Sequence, residues 1–457
     1  MATPAVFAAG HGFGRALETL MFDNSVDLRV GSRDGTRAGT PARSLVRSGP
    51  EAATPADSRP GAEHRWKELE LRARPTCIVG VGESSYYKHG KSPVTEFALT
   101  CAAVLAAAKD AGLDPRDLDG FASYAADRNE GVRLAAALGV REMNFSNVVW
   151  GGGGGGCAAA VGNAMAAVSA GLARYVVVYR GLAQGQFERY GVTGDTGARA
   201  LRWVNWRPYG MAAPVHSVAL KFRRFMHLHG TSQDALAAIS LTSYDHAQRN
   251  PRAMMYGRPL TREQYDASRW IAEPFHLYDC CQENDGAAAV IVTTAERARD
   301  LSATPAYIAA AAQGNQPRPL GADGEDRYFA SSNLRPVAER LFAQAGMTPA
   351  DIDVAQVYEN FTGGVVMALV DGGLCAADEV NEFVTEKNLS WSGGKLPLNT
   401  SGGNLAEAYI HGLELVNEAV RQIRGESTCQ VPDVQTSLVI GGPTDAPISS
   451  LILTREA

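Results

Sequence analysis

The sequence predicts an α/β fold, layered and duplicated about a pseudo-twofold axis, from three observations. From Pro75 onward, short apolar segments of strand character alternate with segments of helical spacing. The stretch A-G-L-D-P-R-D-L-D at Ala111 to Asp119 recurs as A-G-M-T-P-A-D-I-D at Ala345 to Asp353, a shift of 234 residues. The helix and apolar strand that follow in the first half have a late counterpart, a helix through Arg424 and then T-S-L-V-I-G-G at Thr436 to Gly442. A-G-x-x-P alone is a common helix stop. Both copies, however, follow a helix and precede a strand, which makes duplication of a βαβ-type half the better reading.

In chain order, Cys77 to Val81 reads as a short strand running into Gly82 and Glu83, and Thr95 to Ala111 as a helix stopped by Gly112. Asp119 to Tyr124 reads as a strand and Ala158 to Ala170 as a helix ended by Gly171. Tyr175 to Tyr179 (Y-V-V-V-Y) is then a buried strand. Residues 1–70 stand apart: Gly31 to Glu63 is rich in Arg, Ala, Pro, Ser, Thr and Gly, with almost nothing large and apolar to bury. They are expected to be a disordered extension, with a short helix around Phe13 to Met21. The N-terminal half is expected over 75–300 and the C-terminal half over 305–457. An insertion at about 182–275 lacks the alternation and is expected to cap the site. It contains Arg202, Trp203, Trp206, Arg207 and a helix near Ser217 to His229; its arginines suit phosphates of a nucleotide-bearing substrate, or a solvated face.

Bulk composition narrows the function. At 457 residues and 45% hydrophobic, the chain can bury one large or two medium cores. A net charge of −6 without Lys/Arg clusters speaks against nucleic acid, and no apolar run reaches the length of a membrane span. Seven cysteines without metal-ligand spacing or a secretory signal suit a reduced cytoplasmic enzyme. The adjacent Cys280 and Cys281 have no neighbouring His or second pair, so no metal is expected.

One stretch poses the functional question: W-G-G-G-G-G-G-C-A-A-A, Trp150 to Ala160. A cysteine opening a helix sits where the helix dipole favours a thiolate nucleophile, which makes Cys157 a candidate for acyl transfer.

The duplicated layout, with D-C-C-Q-E-N-D-G-A-A-A-V-I-V-T (Asp279 to Thr293), V-Y-E-N-F-T (Val357 to Thr362), N-T-S-G-G-N-L-A-E-A-Y-I-H-G (Asn399 to Gly412) and L-V-I-G-G (Leu438 to Gly442), resembles the thiolase superfamily. The resemblance covers Pro75 to Glu456 and implies an αβαβα layered fold. It also implies what is missing. Counting back from Gly171, the nucleophile's place falls on Gly154, and Cys157 lies one turn later as a small helix residue. The catalytic His aligns with Tyr409, the second cysteine with Val439, and the oxyanion-site Asn or His with Tyr358.

Two tyrosines at these places are similar to the thiolase-like lipid-transfer proteins that act as steroid side-chain aldolases. That resemblance implies retro-aldol cleavage of a β-hydroxyacyl-CoA to a ketone and a short acyl-CoA such as propionyl-CoA. It implies Tyr358 and Tyr409 as the proton-transferring pair, with His411 as a candidate support for a phenolate. Asn360, Gly154, Gly155, Gly402, Gly403, Gly441 and Gly442 would surround the substrate, the glycine run as an opened pocket lined by backbone amides. It further implies a homodimer, a small partner with an OB-fold and zinc-ribbon segment completing a heterotetramer, and no cofactor beyond the CoA of the substrate. Alternatives from other classes are thiolase-type acyl transfer through Cys157 and an acyl-CoA-binding subunit without turnover.

Overall fold

The computed structural model describes residues 74–151, 153–187, 207–211, 213–316 and 329–457. The expected N-terminal extension and the Arg202–Trp206 stretch of the cap lie outside the described residues.

The first half runs β1 (Thr76–Glu83), β2 (Tyr87–Lys88), α1 (Glu96–Ala111), β3 (Gly120–Tyr124), α2 (Gly131–Leu138), β4 (Phe145–Val149), α3 (Cys157–Ser169) and β5 (Val176–Leu182). After the cap it closes with β8 (Asn284–Thr294). The cap holds α4 (Pro214–His229), α5 (Gln233–Ala247) and the small hairpin of β6 (Trp270–Ala272) and β7 (Phe275–His276). The second half runs β9 (Ala306–Gly314), α6 (Arg335–Ala345), β10 (Val354–Val357), α7 (Thr362–Asp371), α8 (Leu413–Arg424), β11 (Thr436–Gly441) and β12 (Ile448–Thr454).

The strand order β10-β11-β12-β9-β1-β8-β5-β3-β4 makes the duplication explicit. Outward from the centre, β1, β8, β5, β3 match β9, β12, β11, β10. In each half the outer pair is parallel (β3 with β5, β10 with β11) and the next two pairings are antiparallel. The halves meet where β1 pairs antiparallel with β9 through Cys77–Tyr307 and Ile78–Ala306. Only the edge differs: β4 in the first half is reduced in the second to one parallel bridge between Ala355 and Leu398.

The repeated stretch does the same work twice. Gly112 and Gly346 both end a helix in the left-handed conformation, at φ 68° and 65°. Pro115–Asp117 and Pro349–Asp351 each form a single 3₁₀ turn. The last Asp of each copy then holds the start of the neighbouring strand: Asp119 Oδ1 accepts from the amides of Arg174 and Tyr175 at 2.8 Å each, and Asp353 Oδ2 from Gln435 and Thr436 at 2.8 and 2.9 Å.

Three large apolar clusters give the layers. One lies between α1 and the outer face of β1, β5 and β8. A second surrounds α3 and α8, which touch strands of both halves and form the middle layer. The third joins α6 and α7 to the second-half strands and to the cap helices α4 and α5. α3, C-A-A-A-V-G-N-A-M-A-A-V-S, buries its first five residues and then one face through Ala164, Ala167 and Val168, with Ala166 exposed.

Candidate active site

Tyr358 and Tyr409 are 51 residues apart in sequence and meet at the end of β10. The Tyr358 amide donates to the Ile440 carbonyl at 2.8 Å, extending the β10–β11 ladder by one residue. Asn399 fixes the residue before it: its side chain accepts from the Val357 amide at 2.7 Å and donates to the Val357 carbonyl at 2.9 Å. A side-chain amide thus does here what the missing edge strand would do. Tyr409 lies in the loop before α8, its own amide donating to Asn284 Oδ1 at 2.5 Å. The two hydroxyls stand 2.9 Å apart. Tyr358 is fully buried, Tyr409 half-buried.

Gly154 is what makes room for Tyr358. A Cβ at Gly154 would come within 2.3–2.6 Å of three atoms of the tyrosine ring. The glycine run therefore differs from the expected open pocket: the space a side chain would take at Gly154 is filled by Tyr358. One of its amides is also committed, Gly155 N donating to Asp445 Oδ2 at 3.2 Å.

Cys157 packs behind this contact. It is wholly buried, and its Sγ sits 2.4 Å from where a Gly441 Cβ would be and 3.2 Å from that of Gly412. Burial pushes its thiol up to about 12, with the Glu414 carboxyl adding to the rise. The position at a helix N-terminus does not offset that desolvation.

His411 follows in the left-handed conformation at φ 54°, its ring edge-on to Tyr409 with centroids 5.0 Å apart. Arg180 donates to its Nδ1 from Nε at 3.2 Å and from Nη2 at 3.0 Å. Both N–H groups point at one ring nitrogen, which must carry the lone pair, so the ring proton sits on Nε2. Asp127 completes the set, 3.1 Å from Arg180 Nη1, both side chains buried. Tyr124 donates to the His411 carbonyl at 3.0 Å. Support of a phenolate through Nδ1 is thereby closed to His411.

The remaining expected residues shape the backbone. Asn360 accepts from the Phe361 amide with its side chain and from Cys281 N, at 3.0 Å, with its carbonyl. Gly402 and Gly403 are both left-handed, and a Cβ on Gly403 would stand 2.0 Å from Glu359 Oε1. Gly441 packs on Cys157, and Gly442 on the amide of Gly155.

Burial dominates the electrostatics. It raises Tyr358 well above the ordinary phenol value, and Tyr409, Asp445 and Cys281 raise it further. The Glu359 carboxyl, wholly buried, is pushed up to about 8 by desolvation. Cys281 is raised by burial, then by Cys280, Glu283 and Glu359, against which a hydrogen bond from Tyr409 works. Cys280 instead turns its Sγ to the His276 carbonyl at 3.6 Å, so the adjacent cysteines serve different neighbours.

Arg180, Asp127 and Asp445 join the site without belonging to any of the motifs that mark it in the sequence, and Cys281 joins it from the D-C-C-Q-E-N-D-G stretch without having been singled out as a site residue. Arg180 alone leaves a signal there: an arginine inside the apolar run V-V-V-Y-R-G-L is tolerated only when paired.

Residues 323–454 match the family model described as thiolase C-terminal domain-like. The steroid side-chain-cleaving aldolase of Thermomonospora curvata is 40% identical over 395 residues, 83% of this chain and 98% of that protein. The chain belongs to the thiolase-like family of the steroid side-chain-cleaving aldolases. The 17-hydroxy-3-oxo-4-pregnene-20-carboxyl-CoA lyase of Mycobacterium tuberculosis is likewise 40% identical, over 82% of this aldolase-family chain and 98% of its own. The solved Ltp2-ChsH2(DUF35) aldolase superposes with a TM-score of 0.78 at 38% identity, covering 84% of this chain and 98% of that one.

Proposed function

We propose that this chain is a thiolase-like acyl-CoA lyase that cleaves a β-hydroxyacyl-CoA of the steroid side-chain type by retro-aldol chemistry. The products are a 17-keto steroid and a short acyl-CoA such as propionyl-CoA. The observation that carries this is the Tyr358–Tyr409 contact at 2.9 Å, built against a glycine, in a chain 40% identical to proteins named for this cleavage. The reaction needs proton transfer and an enolate but no acyl-enzyme, so the lack of a reactive cysteine is no obstacle.

Tyr358 and Tyr409 form the proton-transferring pair, with His411, its ring edge-on to Tyr409, as support for it. No cofactor is needed beyond the CoA of the substrate, and the enzyme works in the cytoplasm. Edge strand β4 supports a homodimer, because Val148 on it and Trp150 just after it are 54% and 86% exposed. A small OB-fold and zinc-ribbon protein is the further partner, in a heterotetramer; the solved Ltp2-ChsH2(DUF35) aldolase is itself named for two components.

The test is incubation of the full chain, alone and with that partner, with the CoA thioester of 17-hydroxy-3-oxo-4-pregnene-20-carboxylate. Formation of the 17-ketone and propionyl-CoA is expected. Tight acyl-CoA binding without products would favour a binding subunit. Acylation of Cys157, read as added mass, would favour acyl transfer.

A further inference from the structure

Tyr409 stands at the end of a buried loop that has no strand to lie on. From Ser401 to Tyr409 the regular structure is one helical turn, Gly403–Ala406, opened by two left-handed glycines at φ 107° and 56°. Buried backbone groups in such a loop must still find partners. The amides of Ala406, Glu407 and Ala408 turn back onto the carbonyls of Gly402 and Gly403. The carbonyls that follow are met from the cap. Met254 N donates to the Glu407 carbonyl at 2.8 Å, and Met255 N to that of Ala406 at 3.1 Å. α5 ends against the same loop, where a Cβ on Gly402 would stand 2.9 Å from Ala247 Cβ.

Asn250, in the turn after α5, joins the two ends of this loop. Its side chain is wholly buried, and Nδ2 donates to the Ser401 carbonyl at 3.0 Å and to Glu407 Oε1 at 2.8 Å. Its Oδ1 accepts from the Arg252 amide at 3.1 Å, while Arg252 Nε stands 3.8 Å from the same Glu407 oxygen. A side-chain amide has two N–H groups, and here one goes to each end of the loop. Between those ends Asn404 ties the loop to the other tyrosine's neighbour, its Oδ1 accepting from the Glu359 amide at 3.1 Å. Two residues beyond Glu407 comes Tyr409, so a shift of Glu407 moves one phenol against the other.

We propose that Asn250 is a positioning residue of the cleavage, which holds Tyr409 against Tyr358 by tying Ser401 to Glu407. This rests on the lyase reading above and names the cap residue on which its proton-transferring pair depends. Asn250 acts through the loop and moves no proton itself. The 2.9 Å contact between the hydroxyls joins two separate loops, and displacing a catalytic group by about 1 Å can cost about 10²-fold in rate.

The experiment compares the full-length protein with Asn250→Ser, which removes both donors, and Asn250→Asp, which keeps the shape but turns an oxygen toward Glu407. Each is also made in Tyr409→Phe, and kcat with the 17-hydroxy thioester is measured beside the denaturation midpoint. Asn250→Ser is expected to lose about 10²-fold in kcat, and Asn250→Asp at least as much. In Tyr409→Phe the same changes should cost no more than about twofold, since the group they act through is gone. A residue that merely supported the fold would cost the same factor in both backgrounds. Asn250→Asp combined with Glu407→Gln exchanges donor and acceptor and should recover part of the rate. Asn250→Ser, the smaller change, carries the test if Asn250→Asp does not fold. A wild-type kcat in the single variants, an equal loss in both backgrounds, or no recovery on the exchange overturns the assignment and leaves the lyase reading intact. A wild type that binds the thioester but cleaves none overturns both.

Discussion

The two halves share a strand order and contribute opposite things to the site. From the first half, the connection between β4 and α3 is a run of glycines, and what it supplies is space: Gly154 is the gap the Tyr358 ring fills. From the second half, the connection after β10 supplies Tyr358 and the one before α8 supplies Tyr409 and His411. Where the resemblance places a nucleophile in the first half there is only backbone. On the proposed reading the chemistry lies in the second half, and the first half reaches it through Arg180, which donates to His411. One topology specifies where a side chain can act, while the residue at the matched position decides whether it acts or yields room.

The largest expected effect falls on the second half. Tyr358→Phe and Tyr409→Phe should each lower kcat by about 10²–10⁴-fold, and the double variant should show no turnover. Product formation by the double variant in a chromatographic assay would break the comparison outright. Next comes the first half's contribution of space. Gly154→Ala sets a Cβ into the Tyr358 ring, and overpacking of this kind costs about 1–3 kcal/mol. The denaturation midpoint should fall, and kcat should fall with it as the tyrosine is displaced. An alanine variant of native stability and rate would show that the glycine is incidental.

Glu359 sharpens the comparison through pH. Its folded value of about 8 lies above the ordinary carboxylate range, so the folded state holds a proton that the unfolded state releases. Its stabilising contribution is complete below about pH 4.5 and is lost as pH rises toward 8, at about 1.4 kcal/mol per pH unit. Glu359→Gln keeps the neutral shape and removes that slope. Its unfolding free energy should exceed the wild type's at pH 8 and approach it near pH 5; equal slopes in the two proteins would refute the assignment. Cys157→Ala should have the smallest effect. It removes one buried sulfur at about 1 kcal/mol and leaves turnover intact, whereas loss of turnover would return the nucleophile to the first half.

Local chemistry made much of this legible in the sequence. The helix stops at Gly112 and Gly346 and the strands beside them are set by residues within a few places of one another, while Tyr358 and Tyr409 at the two polar positions are what the resemblance to thiolases implies. The reduced edge strand at Leu398 was not legible, because Asn399 replaces strand pairing with a side-chain amide. Nor was the fate of the glycine run, since the ring that fills it comes from a residue far along the chain, in the other half.

The sequence by itself determined the duplicated α/β architecture, the lack of a cysteine at Gly154 and the identity of the two tyrosines. The first depends on periodicity and turn chemistry, which are local properties; the other two are read by matching residue types to the motifs of the resembling superfamily. Only the tertiary structure decided that the tyrosine hydroxyls touch, that Arg180 and Asp127 fix the tautomer of His411, and that Asp445 stands beside Tyr358. Burial raises or lowers a proton affinity, and a charge acts across a few ångströms. Both are set by which distant segments the fold brings together.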